Sequence, residues 1–74
     1  MVYDVIVKNT NGGIICHSPN ATLESAIITR NALINRFTWE NEWRDNYADT
    51  ITVMAIDPEA GARVELKDLQ VSFA

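Results

Sequence analysis

The sequence predicts an α+β domain of ββαββ order, an antiparallel sheet of four or five strands with one amphipathic helix packed on one face. Three observations predict it: two tight-turn signals flanked by β-branched runs, one long segment with helical apolar spacing between them, and a length of 74 residues that leaves room for a single core. An apolar content of 47% with 22% charged residues is that of an ordinary folded chain.

Residues 2–9 are rich in β-branched and aromatic types, Asn11-Gly12 fits a two-residue type I′ turn, and Ile14-Ile15-Cys16-His17 returns. This is the first hairpin, 2–17. It pairs Thr10 with Gly13, Val7 with Cys16 and Val5 with Ser18, so that Tyr3, Val5, Val7, Ile14 and Cys16 form a core face. Val2, Asp4, Ile6, Lys8, Ile15 and His17 form the other face.

Ser18-Pro19-Asn20 is expected to break the strand, and Thr22 to cap a helix that starts near Leu23 with Glu24 in its first turn. Leu23, Ala26, Ile27, Leu33, Ile34 and Phe37 fall on one stripe, the predicted core side of a helix over about 23–37. Arg30 lies at the centre of that stripe and must either reach the domain edge along its aliphatic stem or meet a carboxylate. Ile28 and Ala32 point the opposite way. A helix running unbroken from 23 to 44 would be roughly 33 Å long, against roughly 29 Å for the whole globule. The chain therefore either overhangs or breaks near 37–39, where Thr38 offers a second cap for a helix restarting over 39–45.

Thr50–Ile56 is the next strand, Asp57-Pro58-Glu59-Ala60-Gly61 a turn, and Ala62–Leu66 the return, giving a second hairpin over 50–66. Pairing Ile56 with Arg63 places Ile51, Val53, Ala55, Val64 and Leu66 on the core side. Leu69, Val71 and Phe73 alternate with Gln70 and Ser72, which makes 69–73 a terminal strand or a continuation past a bulge at Lys67-Asp68.

The composition speaks against several functions. A single cysteine, Cys16, allows no internal disulfide, and with no signal peptide at Met1–Asp4 a cytoplasmic setting is expected. Asn20-Ala21-Thr22 matches a glycosylation acceptor only by coincidence on this reading. No stretch approaches a membrane span. The net charge is −4 and the six basic residues are scattered, so direct nucleic-acid binding is not expected. Cys16 and His17 are neighbours on a strand and point to opposite faces, which rules them out as a dyad. One Cys and one His fall short of a zinc ligand set, and the carboxylates of 38–49 lack an apolar pocket. No enzyme, metal or cofactor is expected, although Asp4 and His17, diagonal on one face, would be the pair a very small enzyme or ligand-binding subunit would use.

The most informative cluster is Trp39, Trp43 and Tyr47, interleaved with Glu40, Glu42, Arg44 and Asp45 and followed by Asp49. These aromatics either complete the core of a small domain or form a recognition surface with Ile28 and Ala32, because aromatic anchors in a charged rim dominate binding energetics. The sheet face opposite the helix, with Ile6, Ile15, Met54 and Ile56, is a second surface that one helix leaves uncovered.

In size, acidity, layout and lack of a catalytic constellation, the chain resembles the small inhibitors of bacterial defence encoded by phages and mobile elements, anti-CRISPR proteins among them. The resemblance lies in overall layout and implies a module that occupies a partner's surface. The partner would be a nucleic-acid-binding complex whose basic groove meets Glu40, Glu42, Asp45 and Asp49, with Ile28, Trp39 and Trp43 as apolar anchors. The alternative expectation is an assembly protein, a homodimer joined through the outer sheet face or an edge strand.

Overall fold

The computed structural model describes residues 1–39 and 48–73, with positions 38 and 39 described for their backbone only. Its elements are β1 (Val2–Asn9), β2 (Ile14–Asn20), α1 (Leu23–Trp39), β3 (Ala48–Ile56), β4 (Arg63–Glu65) and β5 (Val71–Ser72), with a 3₁₀ turn over Lys67–Leu69. The strands form one antiparallel sheet in the order β2-β1-β3-β4, and β5 also pairs with β3. Since β2 and β3 each run antiparallel to β1, they are parallel to one another, and α1 is the crossover that joins them past β1. The α+β class and the single packed helix are those the sequence predicts.

The core lies between α1 and the two central strands. Val5 and Val7 of β1, Ile51 and Val53 of β3, and Ala26 and Phe37 of α1 are all essentially inaccessible, with Ala48 beside them. Tyr3, Ile15, Cys16, Leu33, Ile34, Leu66, Leu69 and Phe73 pack around this centre. A helix is about 10–12 Å across and four strands span about 19 Å, so one helix shields the middle of the sheet and not its edges. That width limit corrects the prediction for Val64, which pairs with Ala55 as expected yet stays 58% exposed at the β4 edge. Leu23, at the helix start, is likewise exposed rather than core.

The first turn differs from the two-residue loop expected. The Asn9 carbonyl accepts from the Gly12 amide (3.0 Å) and the Asn9 amide donates to the Gly13 carbonyl (2.8 Å), which makes a three-residue loop of Thr10, Asn11 and Gly12. The Asn9 side chain selects it, its Oδ1 accepting from the amides of Asn11 (3.0 Å) and Gly13 (2.8 Å). Gly12 takes the left-handed position that closes such a loop, φ 84°.

The longer loop shifts the register between Val7 and Lys8: Val7 still pairs with Cys16, but Lys8 pairs with Ile14, leaving Ile15 as the extra residue of a bulge. A bulge puts two successive side chains on one side of a strand. Ile15 and Cys16 accordingly both pack against the core, while Ile14, predicted as core, is 59% exposed.

Three boundaries also move. The first hairpin does not end at residue 17, because β2 runs on through Pro19 to Asn20. β2 is an edge strand, and there the missing proline N–H leaves no ladder bond unmade. The helix does not stop at 37: it is regular through Trp39, since the turn that holds Phe37 in the core must itself stay helical. A restart over 39–45 lies outside the described residues. The terminal strand is shorter than 69–73; the 3₁₀ turn at Lys67–Leu69 interrupts the edge, and β4 and β5 pair in turn with the same strand, Ile51 opposite Val71 and Ala55 opposite Val64.

The second turn is as predicted. Asp57 Oδ1 accepts from the amides of Glu59 and Ala60, the Asp57 carbonyl accepts from Gly61, and Ile56 pairs with Arg63. Thr22 caps α1 with its hydroxyl on the Ser25 amide, 3.1 Å. Arg30 resolves in a third way: its Nη1 donates to the Leu69 carbonyl (3.0 Å) and its Nε and Nη2 to Asn31 Oδ1, tying the helix to the 3₁₀ turn without a carboxylate.

Candidate functional site: two apolar surfaces and a carboxylate

Of the residues proposed for partner binding, the structure places two. Ile28 stands on the outward side of α1, 65% exposed at mid-helix, with exposed Ala32 one turn further. Asp49 is half-buried in β3, and its carbonyl accepts from the Phe73 amide at 2.8 Å, which fixes the chain end against the sheet. Position 39 closes the helix, and at about 100° per residue its backbone returns to within about 20° of position 28 around the axis. Glu40, Glu42, Trp43 and Asp45 lie outside the described residues.

The second surface is the sheet face turned away from α1. Successive residues of a strand alternate faces, so the inward Val5 and Val7 turn Asp4, Ile6 and Lys8 outward, and the inward Ile51 and Val53 turn Thr52 and Met54 outward. The register aligns them in rows: Val2 with Ile56 and Arg63; Pro19 with Asp4, Met54 and Glu65; His17 with Ile6 and Thr52; Ile14 with Lys8, Thr50 and Ser72. Ile6 and Thr52 at the centre are buried, at 7% and 4% exposure.

Asp4 is out of place in that setting. Its strand neighbours on this face are Val2 and Ile6, and its cross-strand neighbours are Pro19 and Met54. Oδ2 lies 3.3 Å from His17 Nδ1, the diagonal contact the sequence allows. Oδ1 is buried with no hydrogen-bond partner among the described residues. A carboxylate oxygen removed from water and left unpaired costs stability, so Asp4→Val, which suits both the strand and the apolar ring, is expected to raise the urea midpoint. The gain should be on the order of 1 kcal/mol; a lower midpoint would mean that the His17 contact outweighs the orphaned oxygen. Lys8 lies two rows away, with no carboxylate within ion-pair distance among the described residues.

A shallow depression of about 540 Å³ lies between the start of α1 and the 3₁₀ turn, lined by Leu23, Leu66 and Leu69 with Glu65, Lys67 and Asp68. Its lining holds no cysteine, serine, threonine or histidine side chain. Cys16 faces the core and His17 the opposite side of the sheet. Among the described residues no three His, Cys, Asp or Glu side chains converge as metal ligands, and no helix is long and apolar enough to cross a membrane.

Comparison with protein-family models, characterised proteins and solved structures finds no match to this chain.

Sequence reasoning missed that one Asp4 oxygen is buried without a hydrogen-bond partner among the described residues. The available signal was an aspartate inside a β-branched run, where that residue type is disfavoured.

Proposed function

We propose that this chain is a non-catalytic protein-binding module that acts by covering the surface of a partner, as small mobile-element inhibitors of bacterial defence complexes do. The observation that supports this reading best is Ile28, a large apolar side chain 65% exposed at the middle of a helix whose other side is committed to the core. Ala32 extends the apolar line, and the unbroken helix brings position 39 onto it. An apolar line with an acidic segment directly after it suits a basic partner surface: apolar anchors supply affinity, and the carboxylates of Glu40, Glu42, Asp45 and Asp49 steer the encounter. The acidic balance of −4 favours a protein partner that itself holds nucleic acid, over nucleic acid directly, and a cytoplasmic site of action.

The test is affinity capture from a bacterial lysate, comparing the parent chain with Ile28→Asp. Because Ile28 is exposed, the variant should keep the parent's urea midpoint to within about 0.5 kcal/mol. A specific partner held by the parent should be lost. Equal recovery of every captured protein by both chains would remove the helix surface from the reading.

A further inference from the structure

We infer that Asn11, at the tip of the first hairpin, is a site of self-modification: the Gly12 nitrogen displaces the Asn11 side-chain amide, the resulting succinimide opens to isoaspartate, and this change releases the loop that sets the β1–β2 register.

The inference begins with a comparison of the asparagines. Asn11 is the one asparagine in the sequence followed by glycine, and glycine has no Cβ to hinder attack by its own nitrogen on the preceding side chain. The side chains of Asn9, Asn20 and Asn31 are held in place. Asn9 Oδ1 accepts from the amides of Asn11 and Gly13, Asn20 is bonded through both its amide nitrogen and its oxygen, and Asn31 Oδ1 accepts from Arg30. Asn35 lies inside α1, where the backbone amides are engaged in the helical ladder. Asn11, by contrast, is exposed, and its side chain makes no hydrogen bond among the described residues. Its Cγ is free to swing toward the Gly12 nitrogen. The Gly12 amide donates to the Asn9 carbonyl at 3.0 Å, a single bond at a solvent-exposed turn, which local fluctuations open.

The chemistry needs only water. The Gly12 nitrogen bonds to Asn11 Cγ and the Cγ–Nδ2 bond breaks; the departing nitrogen takes up the proton lost by the Gly12 amide and leaves as ammonia. Water then opens the imide at either carbonyl. Opening at the side-chain carbonyl gives aspartate, and opening at the main-chain carbonyl gives isoaspartate, in which the chain runs through the former side chain. Both products carry a carboxylate where a neutral amide stood. Isoaspartate also adds one atom to the backbone between the Asn11 and Gly12 nitrogens. That atom falls inside the rings that Asn9 closes with Gly12 and Gly13. The same three-residue loop accompanies the bulge at Ile15, so lengthening it loosens the hairpin, whereas aspartate keeps the original backbone.

The test is incubation of the purified folded chain in mildly alkaline buffer, separation of acidic species by anion exchange, and peptide mapping by mass spectrometry. Conversion at Asn11 is expected to be at least about ten-fold faster than at any other asparagine, and the isoaspartyl species should show a lower urea midpoint. Asn11→Gln, whose longer side chain disfavours ring closure, should give no acidic species at this position. Asn11→Asp should keep the parent's midpoint, which separates the added charge from the added backbone. Acidic species that map to other asparagines, or an Asn11 that reacts in urea and stays intact in the folded chain, would overturn the site. An isoaspartyl species that unfolds at the parent's midpoint would overturn the effect on the loop. None of these measurements involves Ile28, so the binding reading and this one fail separately.

Discussion

Phe37→Ala is expected to cost about 3–5 kcal/mol, a large share of the domain's stability. Phe37 is the largest fully buried side chain among the described residues, 1% exposed, and its ring meets Phe73 at a centroid separation of 6.3 Å. It therefore holds the last described turn of α1 and the end of the chain in one core. Domains of this length have a total stability of about 4–11 kcal/mol, so the loss is between about a quarter and the whole of it. The cavity cannot collapse easily, because the sheet beneath it is formed by β1 and β3, the two central strands, whose Val5, Val7, Ile51 and Val53 are themselves wholly buried. Urea denaturation followed by circular dichroism measures the effect, and Phe37→Leu should retain most of the stability, within about 1.5 kcal/mol. A loss below about 1 kcal/mol for the alanine variant would place the centre of the core elsewhere.

What could be read in advance follows the strength of the periodicity. Ile51 and Val53 alternate with Thr50, Thr52 and Met54, and the Asp-Pro…Gly turn permits one register, so Ile56 pairs with Arg63 as predicted, on strands that run over Ala48–Ile56 and Arg63–Glu65. Ile14-Ile15-Cys16 has no alternation to read. The choice between core and surface there was made by a bulge, and the bulge by an Asn9 side chain that turned a two-residue loop into three. Asn9-Thr10-Asn11-Gly12-Gly13 is compatible with both loops until that side chain is placed. Val64 and Leu23 have the right types for a core and fail on width, since one helix covers two strands.

The candidate surfaces divide in the same manner. Ile28 and Ala32 follow from helical spacing alone and are exposed as the spacing requires. The outer face needed strand order as well as spacing. Only when β1 is placed between β2 and β3 does Asp4 acquire apolar neighbours on both sides and become a buried carboxylate rather than a surface one.

Asn20→Ala is expected to cost about 2 kcal/mol. Its amide nitrogen donates to the Ser18 carbonyl at 2.8 Å and to the Tyr3 carbonyl at 3.5 Å, so it holds the ends of β1 and β2 together. Its oxygen accepts from the hydroxyls of Ser25 (2.8 Å) and Thr29 (3.0 Å), one helical turn apart, so it also fixes the direction in which α1 leaves the sheet. Sheet and helix are thus aligned through one side chain at the point where the chain passes from one to the other. Thr29→Ala removes one of the same bonds, and the two changes should not add: the double variant should be more stable than the sum predicts by about 0.5–1 kcal/mol. Asn20→Asp keeps the acceptor for both hydroxyls and sets a negative charge near the helix N-terminus, so it should lose less than Asn20→Ala. Strict additivity with Thr29→Ala would mean that the orientation of α1 is set by the Phe37 end alone. The Ile28 side would then keep its exposure when Asn20 is replaced, whereas a shared role predicts that loosening this joint also blunts any binding through Ile28.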